Sequence, residues 1–128
     1  MRSRVLFISP RREDAARLGR MLSGVPFEFD TAATLAEARP RLLENPYRVV
    51  LTESALPDGT WLDVLALARQ GGSDCEVIVT RAVLDGRFWA EVLNLGGYDM
   101  LAQPFAESEV RRVLSNACTR IVPEVHAA

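Results

Sequence analysis

Lysine is absent from this chain: all 15 basic residues are arginine, set against 17 acidic residues for a net charge of -2. Chemistry that needs a titratable or compact ammonium is therefore excluded, because a guanidinium stays protonated at any ordinary pH. Histidine is nearly absent too. The one present, His126, sits in the terminal stretch "VPEVHAA", where chain ends fray and neither catalysis nor ligation is expected. The two cysteines, Cys75 and Cys118, are far apart and lack CxxC spacing, which fits small buried side chains better than a metal or redox pair. No apolar run has the length of a signal segment or a membrane span, and "MRSRVLFISP" passes quickly into charged sequence. A cytoplasmic protein without membrane contact is expected. No basic block or stripe suggests a phosphate-backbone footprint, so no direct nucleic-acid contact is expected.

What is present is a compact-domain composition. With 48% hydrophobic residues, 128 residues supply one core and not two. Short apolar runs alternate with helical patterns five times, the pattern of an α/β fold with a doubly wound, five-stranded parallel sheet of flavodoxin-like (βα)5 type. The domain is expected over residues 1–122, with 123–128 as a tail. The strand runs are "RVLFIS" (Arg4 to Ser9), "FEFDTA", which alternates like an edge strand, "YRVVLT", "EVIVT" and "YDMLAQ". Ser9 reads as an N-cap with Pro10 at the first helical position, and Ala15, Leu18, Met21 and Leu22 form the buried stripe of a helix ending near Gly24. Thr34 and Glu37 form a capping box, although Pro40 falls inside the helix they open. Pro57-Asp58-Gly59 reads as turn chemistry, followed by a helix from Thr60 to about Gln70. "DGRFWAEVLNL" makes a fourth helix closed by Gly96 and Gly97, and the last helix runs from about Ala106 to Arg120.

In such a sheet, chemistry gathers at the carboxyl ends of the strands. These ends are Ser9-Pro10, Glu53, Thr80-Arg81 and Gln103-Pro104. No glycine-rich loop follows the first strand, so a dinucleotide or P-loop site is not expected. Glu53 stands out, because a carboxylate closing a buried strand is costly unless it is solvated or employed.

Over about residues 3 to 120 the chain resembles the receiver domains of two-component response regulators. The resemblance is carried by "ESALPDGTWLDVL", "VIVT" and "GGYDMLAQPF". It implies a site in which a histidine kinase passes a phosphoryl group to an aspartate after the third strand. Assistance comes there from Mg2+, an acidic pair, a Thr or Ser, and a lysine. Carried over, the acceptor falls on Glu53, the acidic pair on Ser9 and Pro10, the hydroxyl on Thr80 and the lysine on Gln103. The aromatic switch falls on Met100, and Arg81 replaces a small residue. Only Thr80 keeps the residue type.

Mg2+ draws oxygen ligands and usually one or two carboxylates, which Ser9 and Pro10 do not offer, and Glu13 lies a helical turn further on. Without lysine, the developing charge of a transferring phosphoryl group loses its fixed cation. No metal, cofactor or enzymatic activity is expected. Glu53 reads either as an imitation of an aspartyl phosphate, with Thr80 donating to it and Arg81 covering it, or as a relic facing water. Phe88 and Trp89 are neighbours on the fourth helix and cannot both enter the core, since successive residues diverge by about 100°. With Glu91, Arg111 and Arg112 they give the fourth helix, fifth strand and fifth helix the aromatic and arginine content of an interface. The expected function is a receiver-like signalling module of two-component or phosphorelay type. It would act independently of phosphorylation, through contact with a kinase, an output protein or a second copy, the last as a homodimer across that face. The alternatives are a phosphoaccepting regulator with an atypical site, or a small flavodoxin-like ligand-binding domain.

Overall fold

In the computed structural model, residues 3–70 and 75–119 are described. His126, the tail 123–128 and Arg120 at the expected end of the last helix lie outside them. Apolar runs and amphipathic stretches alternate as β1 (Ser3–Ile8), α1 (Arg12–Met21), β2 (Phe27–Ala32), α2 (Leu35–Glu44), β3 (Val49–Glu53), β4 (Ala55–Leu56), β5 (Gly59–Thr60), α3 (Trp61–Gln70), β6 (Glu76–Arg81), α4 (Gly86–Asn94), β7 (Asp99–Ala102) and α5 (Glu107–Thr119). Five strands form one parallel sheet in the order β2-β1-β3-β6-β7, so "FEFDTA" is indeed an edge. The short pair β4 and β5 is an antiparallel ribbon inside the stretch read from sequence as a loop. Two residues per strand is too short a run to carry a periodic signal.

Strand alternation sorts the core into two layers. Val5, Phe7, Val49, Leu51, Ile78 and Leu101 face Leu18 of α1 and Val110, Val113 and Leu114 of α5. Leu6, Ile8, Val50, Val77, Val79 and Met100 face α2, α3 and α4, through Ala38, Trp61, Val64 and Val92 among others. Each fully buried side chain of this size contributes about 1.5–3 kcal/mol of transfer free energy, which outweighs local propensity and tolerates Pro40 within α2. Cys75 and Cys118 are free, and burial pushes the Cys75 thiol up to about 12.

Capping differs from the sequence reading at α1. The helix starts at Arg12 after Arg11, and Ser9 does not cap it. Ser9 Oγ instead accepts from the Arg11 backbone N–H at 3.0 Å, and the same hydroxyl donates into the site described below. At α2 the Thr34 hydroxyl accepts from Glu37 N at 3.1 Å, while Glu37 Oε1 accepts from Ala33 N at 3.0 Å. Asp85 caps α4 by accepting from Phe88 N at 2.8 Å, and Gly96, at φ 110°, closes that helix in a backbone conformation that side chains resist.

Asp58 does more than turn the chain. Its carboxylate accepts from Leu35 N at 2.8 Å and Ala36 N at 3.0 Å, so the ribbon is tied to the N-terminus of α2. Gly59 permits this approach, because a Cβ there would lie 2.8 Å from Leu35 Cδ2. The two backbone donors hold the Asp58 carboxyl below its ordinary value. A depressed carboxyl pKa contributes stability above the unfolded value, about 3.9, and that contribution disappears as pH falls through the lower folded value. Asp58→Ala is therefore expected to lower the melting temperature at pH 7, with the difference from the parent closing below about pH 3. Thermal unfolding followed by circular dichroism across that range checks it, and a pH-independent difference would contradict the assigned role.

Candidate functional site

Parallel registry brings four strand ends to one edge of the sheet. Val49 to Glu53 pairs with Glu76 to Thr80, so Glu53 and Thr80 lie side by side, and Ser9 Oγ on β1's extension reaches the Glu53 carboxylate. By alternation Ser9, Glu53, Thr80 and Gln103 all point to the α1/α5 side, the same side as Phe7, Leu51, Ile78 and Leu101. Glu53 is buried, as are Ser9 and Thr80. A cavity of about 210 Å3 opens there, lined by Arg11, Glu53, Ser54, Ala55, Thr80, Arg81, Ala82 and Gln103.

Glu53 is held. Its Oε2 accepts from the Ser9 hydroxyl, and its Oε1 lies 3.9 Å from Arg11 Nε. Ser9 is thereby fixed twice, as donor to Glu53 and as acceptor from Arg11 N. The partners named from sequence are not the ones observed. Thr80 Oγ1 is buried and has no hydrogen-bond partner among the described residues. Arg81 does not cover Glu53, because it follows Thr80 and so points to the opposite side of β6. Its guanidinium carbon lies 4.1 Å from the centroid of the Phe88 ring, a cation–π contact. Phe88 in turn meets Trp61 edge to face, with ring centroids 6.4 Å apart.

Gln103 Nε2 donates to Asp14 Oδ2 at 3.0 Å, bringing in a carboxylate that spacing alone had not singled out. Its place five residues beyond Ser9, in the first turn of α1, meets Gln103 only once α1 is docked on the sheet. Glu13 is exposed, as its helical position suggested. Pro10 is exposed and offers no side-chain donor or acceptor. These residues do not fit a hard divalent cation: Ser9 and Asp14 are engaged with Glu53 and Gln103, Glu53 is paired with Arg11, and no group of three or more His, Cys, Asp or Glu side chains suited to a metal occurs among the described residues.

On the neighbouring face Met100 is buried as a core side chain. Phe88 turns toward α3, leaving Trp89 50% exposed, together with Leu93 at 45% and Leu84 at 42%. Trp89, Leu84, Met100, Asp99, Glu109 and Arg112 line a groove of about 420 Å3 between α4, β7 and α5. Glu91 is exposed on α4. Arg111 belongs elsewhere: it pairs with Glu107 at 3.3 Å and donates to Met21 O at 3.2 Å, which directs it toward α1.

The fold that this sheet order and helix placement define is that of the response-regulator receiver domain. Over 93% of its length the chain superimposes on a two-component response regulator from Clostridium difficile, covering 98% of that chain at a TM-score of 0.83 and 21% identity. In sequence it is similar to the response regulator protein PilR of Pseudomonas aeruginosa, 28% identical over 87% of this chain and 24% of that protein. It is also similar to the photosynthetic apparatus regulatory protein RegA of Cereibacter sphaeroides, 26% identical over 77% of this chain and 53% of that protein. The chain thus spans about a quarter of the one relative and half of the other. No protein-family model matches it. Among the described residues no helix is long and apolar enough to cross a membrane.

The clamp on Glu53 makes a quantitative expectation. Ser9→Ala leaves a buried carboxylate short of its donor and should cost roughly 1.5–3 kcal/mol of unfolding free energy, the range for hydrogen bonds to charged groups. In the Glu53→Gln background the same change should cost clearly less. Urea denaturation of the four proteins in a double-mutant cycle measures this coupling, and additive effects would rule the clamp out.

Proposed function

We propose that the chain is a receiver-like module of two-component signalling that works without being phosphorylated, passing information by protein–protein contact. One observation carries this reading: the carboxylate at the acceptor position is already bound intramolecularly, by Ser9 and Arg11, while Gln103 is turned onto Asp14. A carboxylate so engaged is a poor nucleophile, and no fixed ammonium is available to stabilise the transferring group. Glu53 in this reading is a permanent pin between β1 and β3. A single carboxylate resembles a phosphoryl group only in part, having one charge and two oxygens.

Incubation with Mg2+ and acetyl phosphate, or with beryllofluoride, should leave the intact mass and the amide NMR spectrum unchanged. Glu53→Asp alone should leave them unchanged as well, since the metal carboxylates and the lysine remain replaced. Stable phosphoryl incorporation in either protein would overturn the reading.

The partner is a protein: a kinase, an output protein or a second copy of the chain. The groove beside the half-exposed Trp89, with Arg112 on its far wall, supports self-association across α4, β7 and α5. Light scattering over a concentration series should show a weak dimer, and Trp89→Ala should weaken it by about 2 kcal/mol, as for a central aromatic anchor. Monomeric behaviour at high concentration, or a dimer indifferent to Trp89, would contradict this interface.

A further inference from the structure

We infer that Arg81 is the positioning residue of α4: stacked on Phe88, its guanidinium fixes the rotation of that helix about its axis and so holds Trp89 outward, where a partner can take it. The inference rests on the reading above, in which the module acts through that face. α4 has few anchors. Val92 is its one buried residue, and the connection that enters it, Ala82 to Asp85, is exposed throughout. A helix pinned at a single side chain can turn, and a second pin on the same row stops it. Phe88 is that pin, one turn before Val92 at i and i+4 and half-buried against the core. Trp89 and Leu93 repeat the spacing about 100° around the helix, on its exposed side. Where Phe88 sits therefore decides where Trp89 points.

Two neighbours hold the Phe88 ring. Trp61, buried in the first turn of α3 with its backbone N–H donated to Ser54 O at 3.1 Å, meets it edge to face with 83° between the ring planes. Arg81 lies over the ring, its guanidinium carbon 4.1 Å from the centroid. Arg81 is itself anchored, because as the last residue of β6 it pairs with Ala102 of β7 and its carbonyl accepts from Gln103 N at 3.0 Å. Among the described residues it enters no ion pair, which leaves the guanidinium to the ring. A cation over an aromatic face is attracted by the ring quadrupole, and a planar, weakly hydrated guanidinium suits that place better than an ammonium. Arg81 and Phe88 thus bridge the exposed connection at its base, and Asp85 closes it by accepting from Phe88 N at 2.8 Å. Arg81 does not line the groove beside Trp89, so it acts on that surface through Phe88.

The test is amide hydrogen exchange on the full chain, read residue by residue by NMR in the parent and in Arg81→Gln, Arg81→Lys and Phe88→Leu. Arg81→Gln should speed exchange of the Trp89 to Asn94 amides about threefold or more while α3, α5 and the central strands keep the parent rates, the mark of a local opening. Phe88→Leu, which keeps an apolar side chain and loses the ring, should do the same. Arg81→Lys should restore part of the protection, and Arg81→Gln added to Phe88→Leu should change nothing further. Unchanged α4 exchange in Arg81→Gln, an acceleration spread evenly over the molecule, or additive effects of the two changes would overturn the inference. Light scattering separates it from the reading it rests on. Arg81→Gln should weaken the dimer severalfold from outside the groove, and a dimer indifferent to faster α4 exchange would overturn the link from Arg81 to the face. A monomeric parent would remove the self-associating face, and the exchange rates would still decide whether Arg81 positions α4.

Discussion

A carboxylate at the closed end of a buried strand is the constraint around which this edge of the molecule is arranged. Glu53 ends a β-strand whose every residue is buried, and a charge in that setting must find donors. Ser9 supplies a hydrogen bond and Arg11 a looser ion pair from the chain leaving β1, and this shapes the start of α1. Because the Ser9 hydroxyl is spent on Glu53 and on Arg11 N, the helix begins without a side-chain cap. The central strands β1 and β3 are thus joined at their ends by an ionic hydrogen bond as well as by their backbone ladder.

The opposite layer is tied by different means. Asp58 reaches from the β4–β5 ribbon to two backbone donors of α2, while Arg81, Phe88 and Trp61 stack in sequence from β6 to α4 to α3. The Asp58 and Trp61–Phe88 contacts join elements distant in the chain, whereas Arg81 and Phe88 link the consecutive β6 and α4. Arginine serves in all the cationic roles here, pairing with carboxylates and stacking on rings, uses for which its planar, delocalised charge is suited. At the other end of the sheet Arg4 does both at once, bonding Asp30 at 2.9 Å while lying 5.2 Å from the Tyr47 ring centroid. Burial, the hydrogen bond to Asp30 and its charge together push the Tyr47 hydroxyl up to about 12.

The likeness to receiver domains that the structure carries is one of fold. The sheet order, the two core layers and the position of Thr80 follow the receiver plan, because these depend on apolar volume and alternation. At the carboxyl ends of the strands the Ser9 and Gln103 side chains are engaged within the protein, and Pro10 has no polar side-chain atom to offer.

The sequence by itself determined the five alternating units, the two-layer core, the edge position of "FEFDTA" and the strand ends that make the pocket, since period and burial are local properties of the residue pattern. It also marked Trp89 or Phe88 as exposed, because helix geometry forbids both to be inside. Only the tertiary structure decided who partners whom. Asp14 meets Gln103 across 89 positions of chain, and Asp58 meets Leu35 across 23, separations at which residue pattern carries no information. Arg81 is the instructive case. The sequence reading had it cover Glu53, yet alternation along β6 turns it to the far side of Thr80, and that Phe88 is there to receive it depends on how α4 packs against α3, which is settled by the whole core at once.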